Sequence, residues 1–192
     1  MTGTLATLRG AVFADSHGNR EKIREAVRSL MPLDILVHLG DGIEDGERVA
    51  REEGIPFICV RGNEDRTGEA CEDHCIYRAG DWTFLFIHGH QFEINPWQSQ
   101  DQWDHSTRRM AEMGDKLRAD ALFFGHTHRP WMGIVKGVVL LNPGDLYAGS
   151  MSHPTCVILT VEGDFASINL MQGKGGSWER IKSMRLQKGR FS

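Results

Sequence analysis

Short apolar runs alternate with polar, glycine-rich breaks along this chain, and the period of each run separates strands from helices. Residues 10 to 14 are apolar and stop at Asp15; beyond them Ile23, Ala26, Val27 and Leu30 fall at i, i+3, i+4 and i+7, the stripe of an amphipathic helix. This predicts a strand, a turn over residues 15 to 18, and a helix over residues 20 to 31 that Asn19 caps and Pro32 closes. The unit returns twice. Residues 35 to 39 lead to Gly40-Asp41, a short helical stretch covers residues 46 to 53, and residues 57 to 60 lead to Arg61-Gly62-Asn63. Strands alternating with helices predict an α/β first third built on a mainly parallel sheet.

Past residue 70 the period shortens. Residues 76 to 78 and 82 to 87 flank Ala79-Gly80-Asp81, a hairpin signal, and the second run ends at His88-Gly89-His90. Residues 91 to 100, with Pro96, read as irregular, whereas residues 101 to 118 carry Trp103, Met110, Met113 and Leu117 in a helical rhythm. Residues 121 to 124 lead into Gly125-His126-Thr127-His128 and residues 138 to 141 into Asn142-Pro143-Gly144. Residues 156 to 161 pair with 165 to 170 across Glu162-Gly163-Asp164. The second half is therefore β-rich, without internal repeats, and residues 173 to 177 resemble a linker.

The 192 residues, 40% hydrophobic and 25% charged, suffice for one core and lie outside the composition of disordered chains. No apolar run approaches the ~20 residues that span a bilayer, and the first ten residues lack a secretory signal's apolar stretch, so a cytoplasmic protein without a membrane partner is expected. Cys59, Cys71, Cys75 and Cys156 form no CxxC pair and read most simply as reduced thiols. Residues 172 to 192 hold six basic side chains against Glu179, a net +5 that leaves -9 for the rest of the chain's formal -4. They read as a flexible basic tail after a domain of residues 1 to 171, and nucleic acid is not the expected partner.

Candidate chemistry changes the picture most. Five apolar runs end alike, in a metal-competent side chain: Asp15 and His17, Asp41, Asn63, His88, and His126 and His128. In α/β sheets, ligands gather outside the carboxyl ends of strands, so these positions would converge on one crevice. Singly each has an ordinary reading, a hydrogen-bonded histidine or a Gly-Asp turn; the recurrence is what argues for a site. Imidazole, carboxylate and amide oxygen without thiolate suit Mn, Zn or Fe. Seven ligands exceed the four of one tetrahedral zinc, whereas two ions ~3.5–4 Å apart with a bridging carboxylate use them all.

Asp-Ser-His at 15 to 17, Gly-Asp at 40 to 41, Gly-Asn at 62 to 63, His-Gly-His at 88 to 90 and Gly-His-Thr-His at 125 to 128 resemble the calcineurin-like phosphoesterases. Ser-His-Gly-Asn at 16 to 19, Val-Arg-Gly-Asn at 60 to 63, Gly-His-Thr-His-Arg-Pro at 125 to 130 and Asn-Pro-Gly at 142 to 144 are similar to the small bacterial and archaeal phosphodiesterase branch. The resemblance implies a metallophosphoesterase β-sandwich flanked by helices, four layers α/β/β/α. It implies one divalent metal on Asp15, His17 and His128, another on Asn63, His88 and His126, and Asp41 as the bridge. Manganese is the first expectation, with Fe, Zn, Ni or Mg as alternatives. The implied function is hydrolysis of phosphodiesters or activated phosphate esters through a hydroxide held by two metal ions, on a small phosphate-ester substrate, a nucleotide among the candidates.

One stretch departs from the family. Where its members read Gly-Asn-His-Asp/Glu, with the histidine taken to protonate the leaving oxygen, this chain has Gly62-Asn63-Glu64-Asp65. Proton donation is commonly worth ~10²–10⁴ in rate, so diesters and activated esters become the favoured substrates, with Glu64 the candidate replacement donor. Asn63 can use its amide oxygen on a metal and its NH2 on phosphate. His90, two residues beyond His88, is a candidate for substrate contact or for orienting a ligand. Arg61 and Arg129 read equally as phosphate partners or as salt-bridge residues, His38 as core, and His74, His105 and His153 as surface or structural. Residues 91 to 118, with Trp97 and Trp103, are the candidate source of specificity or else peripheral packing. The alternative function is a non-catalytic, metal-binding interaction scaffold of the same fold, which one retromer subunit exemplifies; a homo-oligomer is left open.

Overall fold

The computed structural model describes residues 7–66 and 71–189. Strands β1 (Thr7–Phe13), β2 (Ile35–His38) and β3 (Phe57–Cys59) run parallel, with helices α1 (Arg20–Leu30) and α2 (Ile43–Glu53) as the connections. On its other edge β1 pairs antiparallel with β9 (Thr155–Glu162), and the sheet continues through β10 (Phe165–Lys174) to β11 (Ser177–Gln187). The second sheet has the order β4 (His74–Ala79), β5 (Trp82–Ile87), β6 (Ala121–Phe123), β8 (Val138–Asn142) and β7 (Trp131–Val135), with helix α3 (Gln100–Lys116) inserted before β6.

Side-chain alternation explains the layering. Val12 and Ala14 face one way from β1, into a core shared with Phe84, Phe86 and Phe123 of the second sheet; Ala11 and Phe13 face the other way, onto Ile23, Val27 and Val49 of α1 and α2. Leu85 and Ile87 of β5 turn outward to meet Met110 and Ala111 of α3. Strands buried on both faces must be apolar throughout. The result is the four-layer α/β/β/α sandwich that the resemblance of the motifs implies. No helix among the described residues is long and apolar enough to cross a membrane.

Several local expectations are corrected. The basic segment is no free tail up to Gln187: β11 pairs with β10 from Ser177 to Gln187, burying Trp178 and Leu186. Several of its cations have partners: Lys182 Nζ donates to the Met132 carbonyl at 2.8 Å and Arg185 lies 4.3 Å from the Phe165 ring. Only one face of this edge strand is apolar, and sparsely, which hid its period; charge on an edge also discourages pairing with other chains. The stretch read as a linker is its hairpin turn, with Gly175 and Gly176 at positive φ. The cysteine expectation is corrected as well, because Cys59 and Cys71 form a disulfide, while Cys75 and Cys156 are free. Asn19 stands at the start of α1 but caps no backbone N–H; its Nδ2 donates instead to the Leu146 carbonyl at 2.6 Å. A full capping box, Ser99 with Gln102, starts α3.

His38 is wholly buried, as its apolar strand predicts. Its Nδ1 accepts from Gly40 N–H at 3.2 Å, so Nε2 carries the proton toward Ser16 Oγ, also at 3.2 Å. Burial pushes its pKa down from 6.5 to about 4. The unfolded chain then takes up this proton first, so the stability tied to neutral His38 is complete above about 6.5 and is lost as pH falls toward 4. That loss amounts to about 3 kcal/mol at most. Urea unfolding between these pH values is expected to show a flatter pH dependence in His38→Gln than in the wild type; equal slopes would show that His38 titrates as freely folded as unfolded.

Candidate metal centre

The carboxyl ends of β1, β2, β3, β5 and β6 meet at one edge of the sandwich. Neighbouring loops are stitched together there by Asp15 N–H to the Gly40 carbonyl (3.0 Å), His17 N–H to the Asp41 carbonyl (3.1 Å) and Gly125 N–H to the His88 carbonyl (2.8 Å). Asp15, His17 and His128 bring one ligand atom each within 4.8 Å of one another, and so do Asp41, His88 and His126. Asn63 joins the second group through Oδ1, 3.1 Å from His88 Nε2. His17, Asp41 and Glu64 form a third such grouping that links the two. All seven residues predicted as ligands are thus brought to one place.

The backbone is strained to achieve this. Eight non-glycine residues among those described have positive φ, and five are Asp15 (51°), His17 (44°), Asp41 (55°), His126 (68°) and His128 (55°). L-residues rarely adopt this region, and such strain persists only where surrounding structure over-determines it. The β2 and β3 loops also approach too closely for side chains: a Cβ on Gly62 would collide with Asp41, and one on Gly40 would stand 2.7 Å from His88 Nδ1.

Hydrogen bonds select the tautomers. His88 Nδ1 donates to the Leu39 carbonyl at 2.7 Å, His128 Nδ1 to Asp145 Oδ2 at 2.9 Å, and His17 Nδ1 meets Glu64 Oε2 at 3.2 Å. Each Nε2 is left as a lone pair turned inward. His17 Nε2 and His128 Nε2 then face each other at 3.3 Å, with Asp15 Oδ1 3.6 Å from the latter. Asp15 Oδ2 accepts from His126 N–H, but the buried Oδ1 has no hydrogen-bond partner. In the other group His88 Nε2 lies 3.3 Å from Asp41 Oδ2. Lone pairs facing lone pairs repel unless positive charge lies between them, so the donor set fits divalent metal cations.

The charges agree. Burial raises the Asp15 carboxyl to about 6 despite His88 and His128. Burial would raise Asp41 too, yet the His88 hydrogen bond and the N–H of Glu64 hold it at about 2. Burial also works against charge on His88, but Asp41 and Asp15 outweigh it and raise its pKa; the Asp145 hydrogen bond raises that of His128. A proton on either imidazole answers the same demand for positive charge that a cation would. His126 is pushed down to about 4 by burial and by His88, so it offers a neutral imidazole at neutral pH.

Residues 8–164 match the calcineurin-like phosphoesterase superfamily domain. The chain belongs to this superfamily. It is 26% identical over 174 residues to the probable metallophosphoesterase YsnB of Bacillus subtilis, covering 90% of this chain and 95% of that one. Among solved structures it is similar to wild-type Vps29 of Entamoeba histolytica complexed with zinc, at TM-score 0.68 and 19% identity over 96% of this chain and 100% of that one. It is likewise similar to a novel archaeal phosphodiesterase, at TM-score 0.58 and 20% identity over 91% and 99%.

The residues that position the donor side chains are less visible in the sequence. Asp65 accepts from four backbone N–H groups, those of Asp41 and Gly62 at 2.8 Å, Gly42 at 2.9 Å and Ile43 at 3.2 Å. Its carboxylate lies at the N-terminus of α2, where the helix dipole favours it, and it fastens the Asp41 loop to the Asn63 loop. Asn142 donates to the Gly125 carbonyl and Thr127 Oγ1 and accepts from Gly144 N–H, locking the His126–His128 turn. Asp145 did leave a signal: it forms a Gly-Asp pair, like Gly40-Asp41, four residues after the apolar run that stops at Leu141.

The other candidates divide. Arg61 is tied to Asp73 at 2.6 Å, the ordinary salt-bridge reading. Arg129 forms no ion pair among the described residues and lines a cleft of about 580 Å³ that opens from Asn63, His126 and His128. Trp97 lines the same cleft, whereas Trp103 packs on Phe124 and Trp131. The His90 ring lies 5.3 Å from that of His88, with its Nδ1 buried and without a partner. His74, His105 and His153 are exposed. If Asp145 fixes the orientation of His128, Asp145→Ala should weaken divalent metal affinity by ~10–100-fold in calorimetric titration. An unchanged affinity in a folded variant would show that His128 needs no such partner.

Proposed function

We propose that this protein is a binuclear metal-dependent phosphoesterase acting on phosphodiesters or activated phosphate esters. The observation that supports this most is the pair of inward-facing donor groups, Asp15–His17–His128 and Asp41–His88–His126, at the head of an open cleft. In this reading Asp15, His17 and His128 hold one ion, Asn63, His88 and His126 the other, and Asp41 is shared. Two divalent ions supply Lewis-acid charge to phosphate oxygens and lower the pKa of a held water toward ~7. Manganese is the first ion to test, since carboxylate and amide oxygens stand beside imidazoles; zinc is the ion in the Vps29 relative.

The chain's own residues set the limits of the reaction. Asn63, with Oδ1 turned to His88, has its NH2 left to donate to a phosphate oxygen. Glu64 sits where the family carries a proton donor, but its carboxylate meets His17 Nδ1, so it holds that imidazole. Turnover then rests on leaving groups that depart unassisted. The second reading, a metal-binding scaffold without turnover, is favoured by Glu64 and by the fold shared with Vps29.

Loading the protein in turn with Mn, Ni, Zn, Fe and Mg, and assaying metal content with ester panels, separates the two. Two ions per chain and hydrolysis of bis(p-nitrophenyl) phosphate are expected, with simple alkyl monoesters slower by ~10²–10⁴-fold. Asp41→Asn should lower diester turnover by at least ~10²-fold. Two bound ions without hydrolysis of any ester would establish the scaffold instead.

A further inference from the structure

The cleft that opens from the candidate metal centre has unusual walls. Seven large hydrophobic side chains are exposed among the described residues, and three of them, Trp97, Tyr147 and Met151, border this cleft. Exposed apolar side chains are normally scattered; gathered around a polar floor they mark a surface that something covers. Trp97 is 86% exposed although its backbone is braced, its N–H donating to Asn95 Oδ1 at 3.1 Å. Tyr147 stands edge-on to the rings of His17 and His128, at 5.3 and 6.3 Å, which fixes it beside the donor atoms. Arg129, a cation without an ion pair among the described residues, shares the wall. A concave space of about 580 Å³ is of small-molecule size; its floor carries Asp41, Glu64 and Asp145, so with divalent cations held there and Arg129 on the wall it suits an anion that carries an aromatic ring.

Resting on the phosphoesterase reading, we propose that the cleft takes a nucleoside joined through a pyrophosphate linkage to a second group. The base stacks on Trp97 and meets Tyr147, one phosphoryl lies at the donor groups, and Arg129 faces the other phosphate. The linkage follows from Glu64. With no proton donor at that position, the departing oxygen must be stable as an anion. A sugar alkoxide is not, whereas a phosphate, with a pKa of ~6, is. The oxygen of water bonds to one phosphorus while the bridging P–O bond breaks. The electron pair stays on the second phosphate, and the protons of water pass to solvent. The products are a nucleoside monophosphate and a second phosphate ester.

Two measurements on the metal-loaded full chain test this. In calorimetric titration, adenosine monophosphate should bind roughly 5- to 100-fold more tightly than ribose 5-phosphate, the contribution of one base on an aromatic platform. Trp97→Ala should abolish that preference and leave ribose 5-phosphate affinity unchanged. ADP-ribose should turn over at least ~10²-fold faster than the dinucleoside monophosphate adenylyl-adenosine, whose leaving group is an alkoxide. Equal binding of the two monophosphates, a preference that survives Trp97→Ala, or faster cleavage of adenylyl-adenosine would each overturn the proposal. Bis(p-nitrophenyl) phosphate serves as the control: if it is hydrolysed in the absence of these preferences, only the substrate assignment falls, and if it too is inert, the phosphoesterase reading falls with it.

Discussion

The repulsion between lone pairs gathered at one edge of the sandwich is the constraint around which the rest is arranged. His17 and His128 present Nε2 to each other, Asp15 buries an oxygen without a partner, and His88 faces both Asp41 and Asn63. None of these atoms would converge by its own preference, and the five left-handed backbone positions that deliver them cost ~1–3 kcal/mol each. Three apolar clusters, one between the sheets and one outside each, supply the compensating burial. The strands are rigid because both faces are covered, so their ends can be held where they are not comfortable.

Rigid strands alone would not fix the imidazoles. Three of the four have a partner on the outer nitrogen, of two kinds: the Leu39 carbonyl for His88, and carboxylates for the others, Asp145 for His128 and the exposed Glu64 for His17. Asp65 does for the backbone what these do for the rings, gathering four N–H groups from two loops on one carboxylate. The Cys59–Cys71 disulfide brackets the same loop, which carries Asn63, Glu64 and Asp65 between its two ends. The described part of the β3–β4 connection is therefore fastened both through Asp65 and through the disulfide, and it is also where the sequence departs from its family.

What was legible in the sequence follows from what has a period. Strands and helices with buried faces repeat at 2 or 3.6 residues, and the ligands stand where those runs stop, so the α/β first third, the β-rich second half and the gathering of the seven side chains could be read directly, while the four-layer arrangement came from the resemblance of the motifs. β11 was missed because an edge strand with one sparse apolar face has almost no period, and β7 because Trp131, Met132 and Val135 follow the Gly-His-Thr-His turn with only Arg129 and Pro130 between. Asp65 and the disulfide were illegible for another reason: their partners are remote in sequence or are backbone atoms, and no spacing rule reports them. Asn19 shows the reverse error. Its position is that of a cap, but tertiary contact with Leu146 offered its side chain a better partner.

Metal binding and turnover make different demands, and the centre answers them unequally. The facing lone pairs, the strain and the oriented imidazoles are accounted for once cations are bound, whether or not an ester is ever cleaved. Turnover asks in addition for a leaving group that the centre can release, and the Glu64 carboxylate, at the position where the family carries a proton donor, is engaged with His17. The walls of the cleft bear on that second demand alone. Trp97 and Arg129 make no contact with the donor side chains among the described contacts, and Trp97 and Met151 contribute almost nothing to the core, since they lie nearly or wholly in solvent. Side chains exposed at such hydrophobic cost beside a charged floor are explained by a ligand that covers them, and an aromatic, anionic ligand whose departing oxygen needs no proton satisfies both walls and floor.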